Sequence, residues 1–154
     1  MLTCLALAVL WAPPPSPSVA AVLDDLHRAA SEADAARYFG HFDPDAVFVG
    51  TDATEIWSVD AFRKYAHPHF AKGKGWTYHA DRAARRIRYS ADRQTAWFYE
   101  TLRHDKYGVL RGSGSLVRVG GAWKIAQYVL SFAVPNDAAK DVVQRIQRSS
   151  VPDP

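Results

Sequence analysis

Cysteine is almost missing from the sequence: Cys4 is the only one in 154 residues. With no second thiol, and with Cys4 inside an apolar N-terminal run, the rest of the chain forms no disulfide and carries no thiol chemistry. Metal-ligand spacing is missing too. His67 and His69 are two apart on an expected helix and diverge, whereas ligands on one helical face need a spacing of three or four. The glycines follow no phosphate-cradling pattern, so no nucleotide loop is expected, and the expectation is no metal and no cofactor. No apolar run is long enough to span a bilayer as a helix. Neither sign of charge dominates: the net charge of +3 is mildly basic, and Arg82, Arg85, Arg86 and Arg88 account for much of it. No nucleic-acid motif surrounds that cluster, which reads as a solvated strand face. There are no internal repeats and no interdomain linker.

What remains is the composition of one globular domain, 48% hydrophobic and 23% charged, with enough chain to bury a core. The N-terminus stands apart. The short apolar run "MLTCLALAVLWA" is followed by "PPPSPS" and then "SVAAV". This matches the apolar region of a secretory signal peptide, with Ser18-Val19-Ala20 as a small-residue cleavage site, although no Lys or Arg precedes the run. Residues 1–18 are therefore read as a leader, either a signal peptide or a disordered tail, residues 19–148 as the domain, and 149–154 as a tail. Export to a secreted or periplasmic location follows from the first of these, a cytoplasmic location from the second.

Apolar residues recur at helical spacing from Ala20 to about Phe42, as Val22, Leu23, Leu26, Ala29, Ala30, Ala33 and Ala36. A strand is expected at 46–50 and a second helix at 59–71, capped by Ser58. The period then changes to two, giving strands at about 75–90, 95–106, 109–119 and 122–134, with hairpin turns at 104–108 and 119–121. Pro135 ends the last strand, and a short helix with Val142, Val143 and Ile146 on one face follows. Helices gathered on one side of a long antiparallel meander make an α+β fold. Strands of such length must curve, with Gly112 and Gly114 as bend points, and a curved sheet over helices encloses a cavity.

Alternation assigns the faces. Lys124 and Arg118 want water, which places Trp123, Ile125, Gln127, Val129 and Ser131 on the inner face, together with Arg111, Ser113, Ser115 and Val117. Glu100 interrupts the aromatic run "WFYETL". Desolvated there, it would titrate high and serve as an acid or base; paired with Arg111, it would be an ionic anchor; facing outward, it would be a surface carboxylate. The segment "GTDATE", residues 50–55, places Asp52 and Glu55 directly after a strand, either as a solvent turn or as the rim of a pocket.

Three stretches, "YFGHFDPDAVFVGTD", "GKGWTY" and "GSGSLVRVGGAWKIAQYVLS", occur in the order in which they resemble the nuclear transport factor 2-like superfamily, and within it the SnoaL-like domains. The resemblance spans roughly residues 20–135. It implies a cone-shaped α+β fold, a curved antiparallel sheet wrapped over N-terminal helices, with one deep pocket. It also implies a range of roles, from isomerases, dehydratases and cyclases to binding and assembly modules, so that fold membership alone does not fix function. Catalytic members commonly use a pocket carboxylate with a Tyr, His or Arg partner; here the last strand has Gln127 and Tyr128 where many relatives carry a histidine.

The expected site follows from these two lines together. Glu100 and Asp52 are the candidate catalytic residues, and Trp57, Trp76, Trp97, Tyr99, Arg111, Ser113 and Gln127 the candidate ligand-binding residues, with Glu100, Arg111 and Gln127 converging inside the cone. The partner is a small hydrophobic or cyclic molecule, with no nucleic acid and no stable membrane span. Three readings stand side by side: a small-molecule binding domain, a cofactor-independent isomerase, cyclase or hydratase moving a proton with a pocket carboxylate, and a homodimeric module joined through Tyr128, Leu130 and Phe132 on the outer sheet face.

Overall fold

A computed structural model describes residues 16–149. The apolar run with Cys4 and residues 150–154 of the expected tail lie outside the described residues. Helix α1 (Val19–Ser31) and the short α2 (Ala35–Gly40) are followed by strand β1 (Phe42–Val49), a brief β2 (Ile56–Ser58), helix α3 (Val59–Phe70), the four long strands β3 (His79–Tyr89), β4 (Thr95–His104), β5 (Gly108–Val119) and β6 (Ala122–Phe132), and helix α4 (Ala139–Ser149). The six strands form one curved, unclosed sheet in the order β2-β1-β6-β5-β4-β3. The meander from β3 to β6 is antiparallel, while β1 joins the edge of β6 in parallel. Among the described residues no helix is long and apolar enough to cross a membrane.

The expected first helix is two helices. Ala33 takes a left-handed backbone (φ 55°), and the Asp34 side chain accepts the Arg37 N–H, so a fresh N-cap starts where the apolar period continues. Periodicity reports which residues are buried and passes straight over a one-residue break. Of the expected stripe Val22, Leu23, Leu26, Ala29 and Ala30 are buried, joined by Val19, whereas Ala33 at the break is half-buried and Ala36 in α2 is exposed. Each large aliphatic side chain among them is worth roughly 1.5–3 kcal/mol. Ser18 caps α1 and Ser58 caps α3, each through its hydroxyl.

Two irregularities in the sheet position everything that follows. In β6, Ser115 pairs with Gln127 but Leu116 pairs with Ile125, so Ala126 is an extra residue. A bulge of this kind reverses which face the side chains point to. Trp123 and Ile125 face inward as expected, but beyond the bulge Tyr128 and Leu130 face inward while Gln127 turns out. Gly114 sits opposite the bulge, where a Cβ would collide with the Gln127 carbonyl oxygen. In β3, Asp81 pairs with Thr101 and Arg86 with Tyr99, so four residues bulge out opposite Glu100. The Asp81 side chain accepts the N–H groups of Ala83 and Ala84 and holds this bulge as a turn inside the strand.

Candidate functional site

Between the sheet and the helices lies a cavity of about 680 Å³, within the range of small-molecule sites. Its walls are aromatic. Phe48, from β1, stacks on Phe62 of α3 at 3.9 Å between ring centroids, and Trp57 and Tyr128 lie parallel to the same rings within 14°. Tyr38, Trp76 and Tyr78 complete the lining, and Tyr65, Tyr107 and Phe132 stand at the mouth, all three exposed.

Behind this wall is a chain of charges. Glu100 projects inward from the centre of β4 and is fully buried. Its Oε2 accepts the Arg85 guanidinium at 2.8 Å, and its Oε1 accepts His27 Nε2 at 2.7 Å and the Tyr128 hydroxyl at 3.2 Å. Arg85 also donates to Asp24 Oδ1 at 2.8 Å and to the Ala20 carbonyl, and Arg82 adds a second cation to Asp24. Each element supplies its part for a local reason. The β3 bulge turns Arg85 inward. The α1 stripe carries His27 between Leu23 and Ala30, on the buried face. Gly112, directly opposite Glu100 on β5, leaves the space in which the Tyr128 hydroxyl reaches the carboxylate, since a Cβ there would strike both groups.

The electrostatics follow from this geometry. Burial alone pushes the Glu100 carboxyl up, but the His27 hydrogen bond and the Arg85 guanidinium together outweigh it and hold the group below the ordinary glutamate range. Glu100 is therefore a carboxylate. Burial and that negative charge push the Tyr128 phenol well above its usual range, so it stays a neutral donor. An anionic Glu100 requires the proton of His27 to sit on Nε2. The other ring nitrogen, Nδ1, has no hydrogen-bond partner among the described residues, and His27 lines the cavity with 12% of its side chain exposed.

The expected convergence of Glu100, Arg111 and Gln127 does not form. Directly opposed residues share a face, and one such row runs Arg88, Trp97, Ser115 and Gln127, the next Arg86, Tyr99, Ser113 and Val129. Trp97, Tyr99, Arg111, Ser113 and Gln127 thus lie on the outer face, with Trp97 and Tyr99 about half exposed. For Gln127 the cause is the Ala126 bulge, which reverses the parity of the far half of β6. For Arg111 and Ser113 it is Arg118, which shares the inner parity of Leu116 and stays exposed at the end of the sheet by lying over the Trp123 ring. The reversal in β6 also buries Tyr128 and Leu130 and places Phe132 at the cavity mouth, so the association patch expected from those three residues is not on the outer face. Trp57 and Trp76 line the cavity. Asp52 does not: its carboxylate accepts the Thr54 N–H and hydroxyl, which hold it below the usual aspartate range, and the turn closes with the Gly50 N–H on the Glu55 carbonyl. Gly50, Thr51 and Glu55 of the same turn border the cavity.

Arg85 and His27 were the residues that sequence reasoning passed over. The arginine cluster reads as a solvated face, yet Arg85 is buried. The signal for it was "DRAAR", residues 81–85, where the period of two lapses. The signal for His27 was its place at the helical repeat of Leu23 and Ala30.

A family model for the SnoaL-like domain matches residues 19–135. The chain belongs to the SnoaL-like domain family. Solved structures of the same fold include an uncharacterised protein with a cystatin-like fold from Caulobacter vibrioides, at 18% identity and a TM-score of 0.64, covering 82% of this chain and 95% of that one. A nuclear transport factor 2-like protein of unknown function from Pseudomonas putida matches at 12% identity and a TM-score of 0.61, covering 76% and 85%. A protein assigned provisionally as a scytalone dehydratase, from Novosphingobium aromaticivorans, matches at 15% identity and a TM-score of 0.60, covering 73% and 80%. At these identities the likeness is one of fold. No curated protein matches the SnoaL-like chain in sequence.

Proposed function

We propose that this SnoaL-like protein binds a flat apolar molecule in the aromatic cavity and moves a proton on it through His27, without a cofactor. The observation that carries the reading is the 2.7 Å bond between the cavity-lining His27 and the wholly buried, anionic Glu100. A carboxylate behind an imidazole fixes its tautomer and orientation and stabilises its protonated form. His27 is then the catalytic group that meets the ligand. Glu100, which reaches no ligand, is a positioning residue, and Arg85 keeps it ionised. Isomerisation, dehydration and ring closure all need a proton taken from or given to an activated C–H or C–O group, so the reaction class is proton transfer beside a carbonyl. The provisional dehydratase assignment of one structural relative supports that class by analogy of fold only.

The test uses 2-tetralone, a flat bicyclic ketone with an acidic α-C–H, incubated with the protein in deuterated water. Loss of the α-proton NMR signal above the buffer rate is expected, slowed about 10²-fold or more in His27→Ala. The Trp57 and Trp76 fluorescence should still report binding in that variant. Exchange in wild type no faster than in buffer, with binding intact, would reduce the protein to a binding domain.

The outer sheet face favours a second reading, self-association. Trp97 and Tyr99 stand about half exposed there, and the row of Tyr99 continues across the sheet through Ser113, Val129 and Val49 to the exposed Ile56. Sedimentation of wild type and Trp97→Glu decides it: a dimer converted to a folded monomer supports the reading, and a wild-type monomer at high concentration ends it.

A further inference from the structure

The cavity has a second histidine whose orientation is fixed, at the end away from His27. His104 closes β4 and starts the hairpin turn that Gly108 completes at φ 68°. Its Nδ1 accepts two backbone N–H groups of its own turn, from Lys106 at 3.1 Å and Tyr107 at 3.3 Å. The ring is held between Tyr107, stacked at 4.7 Å, and Tyr78 at 5.1 Å. A nitrogen that accepts carries no proton, so the N–H of the neutral ring is on Nε2. That nitrogen has no hydrogen-bond partner among the described residues, while the side chain borders the cavity with Tyr107 and Phe132. A turn that spends two backbone donors on fixing one imidazole leaves its Nε2–H as a fixed donor at the cavity border, next to the rings of Tyr78 and Tyr107.

We infer that His104 selects the ligand by donating from Nε2 to an oxygen acceptor on the end of the molecule remote from the reacting end. The inference rests on the reading of the cavity as a binding site for flat apolar molecules. It adds the substrate class: a rigid body of about two or three fused rings with a carbonyl, ether or hydroxyl oxygen at its far end. The scale is that of β4: the backbone positions of Glu100, whose side chain holds His27, and of His104 are four residues apart, roughly 13 Å at the rise of an extended chain. The walls between them are the parallel rings of Phe48, Phe62, Trp57 and Tyr128, which accept a planar body and offer it no directional contact of their own.

Two probes of near-equal shape separate the donor from the apolar fit: 2-acetylnaphthalene, whose one oxygen is the carbonyl, and 2-isopropenylnaphthalene, in which a CH2 group takes the place of that oxygen. Calorimetric titration of the full chain should show the acetyl compound binding about fivefold to tenfold more tightly, the worth of one neutral hydrogen bond. His104→Phe keeps the ring between Tyr78 and Tyr107 but has no N–H, and should bring the ratio of the two affinities close to one. His104→Gln keeps a donor and should retain part of the preference. On the wild type, the ¹⁵N shift of His104 Nε2 should move with the acetyl probe and not with the isopropenyl probe, which serves even if a variant fails to fold. A preference that persists in His104→Phe, or is lacking in wild type, overturns the inference. Binding of neither probe overturns the reading of the cavity along with it. If the proton-transfer reading alone fails, His27→Ala and wild type both show no exchange while the affinity ratio survives.

Discussion

Glu100 and Asp52 carry the same functional group into opposite settings. Both are held ionised by hydrogen bonds that lower their carboxyl groups, yet the partners differ in kind. Asp52 is exposed and bonds Thr54, two residues on, so its charge organises one turn and is solvated by water. Glu100 is fully buried and bonds Arg85, His27 and Tyr128, from three other elements of the fold. A carboxylate that closes a local turn is replaceable at small cost. One that joins β3, α1 and β6 in a dry interior fixes the proton position on a cavity residue. The difference lies in what the group is wired to, and residue type alone does not reveal it.

The contrast breaks most visibly when the buried member is removed. Glu100→Ala leaves the buried Arg85 guanidinium with Asp24 as its remaining carboxylate and strips His27 and Tyr128 of their acceptor, and should cost up to about 3–5 kcal/mol in urea unfolding, the range for breaking a buried ion pair. Glu100→Gln keeps the shape and isolates the charge. Because the folded-state pKa of Glu100 lies below its ordinary value of 4.5, its contribution to stability is present above that pH and is lost as pH falls through the lower, folded value. The acid limb of the stability profile should therefore be shallower in Glu100→Gln than in wild type. Asp25, lowered to about 2 by Arg28, His41 and Arg37 against its own burial, adds a second loss in the same direction that both proteins share.

The N-terminal boundary gives the next largest effect. Val19 is fully buried, Ser18 caps α1, and the Ala20 carbonyl accepts Arg85. A chain starting at Ser16 should match the full chain in thermal melting. One starting at Ala21, after the small-residue cleavage signal, should lose about 2–4 kcal/mol by the combined worth of a buried valine and a helix cap. Equal melting temperatures for the two would show that α1 is held without its first turn.

Gly112→Ala sharpens the comparison with a single methyl group. It would press on Tyr128 and Glu100 together, at an expected cost of about 1–3 kcal/mol for overpacking, read by chemical denaturation. Asp52→Ala should be the mildest, within about 1 kcal/mol, and should leave the exchange of 2-tetralone at the wild-type rate. A large loss of exchange on that substitution would move the chemistry to the rim.

Much of this fold was legible because burial and chain direction leave strong periodic traces. The α1 stripe, the Ser58 cap, the hairpin turns and the long strands were all readable, and "GSGSLVRVGGAWKIAQYVLS" carried the family resemblance. The site was less legible. Strand parity is a count, and one uncounted residue at Ala126 turned Gln127 outward and Tyr128 inward. The inward turn of Arg85 depends on a bulge whose hydrogen bonds are local to Asp81, a signal of turn chemistry inside a strand pattern. Glu100 stood out because a carboxylate amid aromatics is costly unless paired, but its partners come from positions 27, 85 and 128, which only the folded sheet and helix bring together.

The ¹⁵N NMR spectrum of His27 tests the wiring of the buried carboxylate most directly. At a pH where the ring is neutral, Nε2 should show the shift of a protonated nitrogen and Nδ1 that of an unprotonated one, because Glu100 accepts from Nε2. In Glu100→Gln the two forms should mix. A wild-type His27 protonated on Nδ1, or a tautomer balance unmoved by Glu100→Gln, would contradict the assignment of Glu100 as the group that sets the proton of His27.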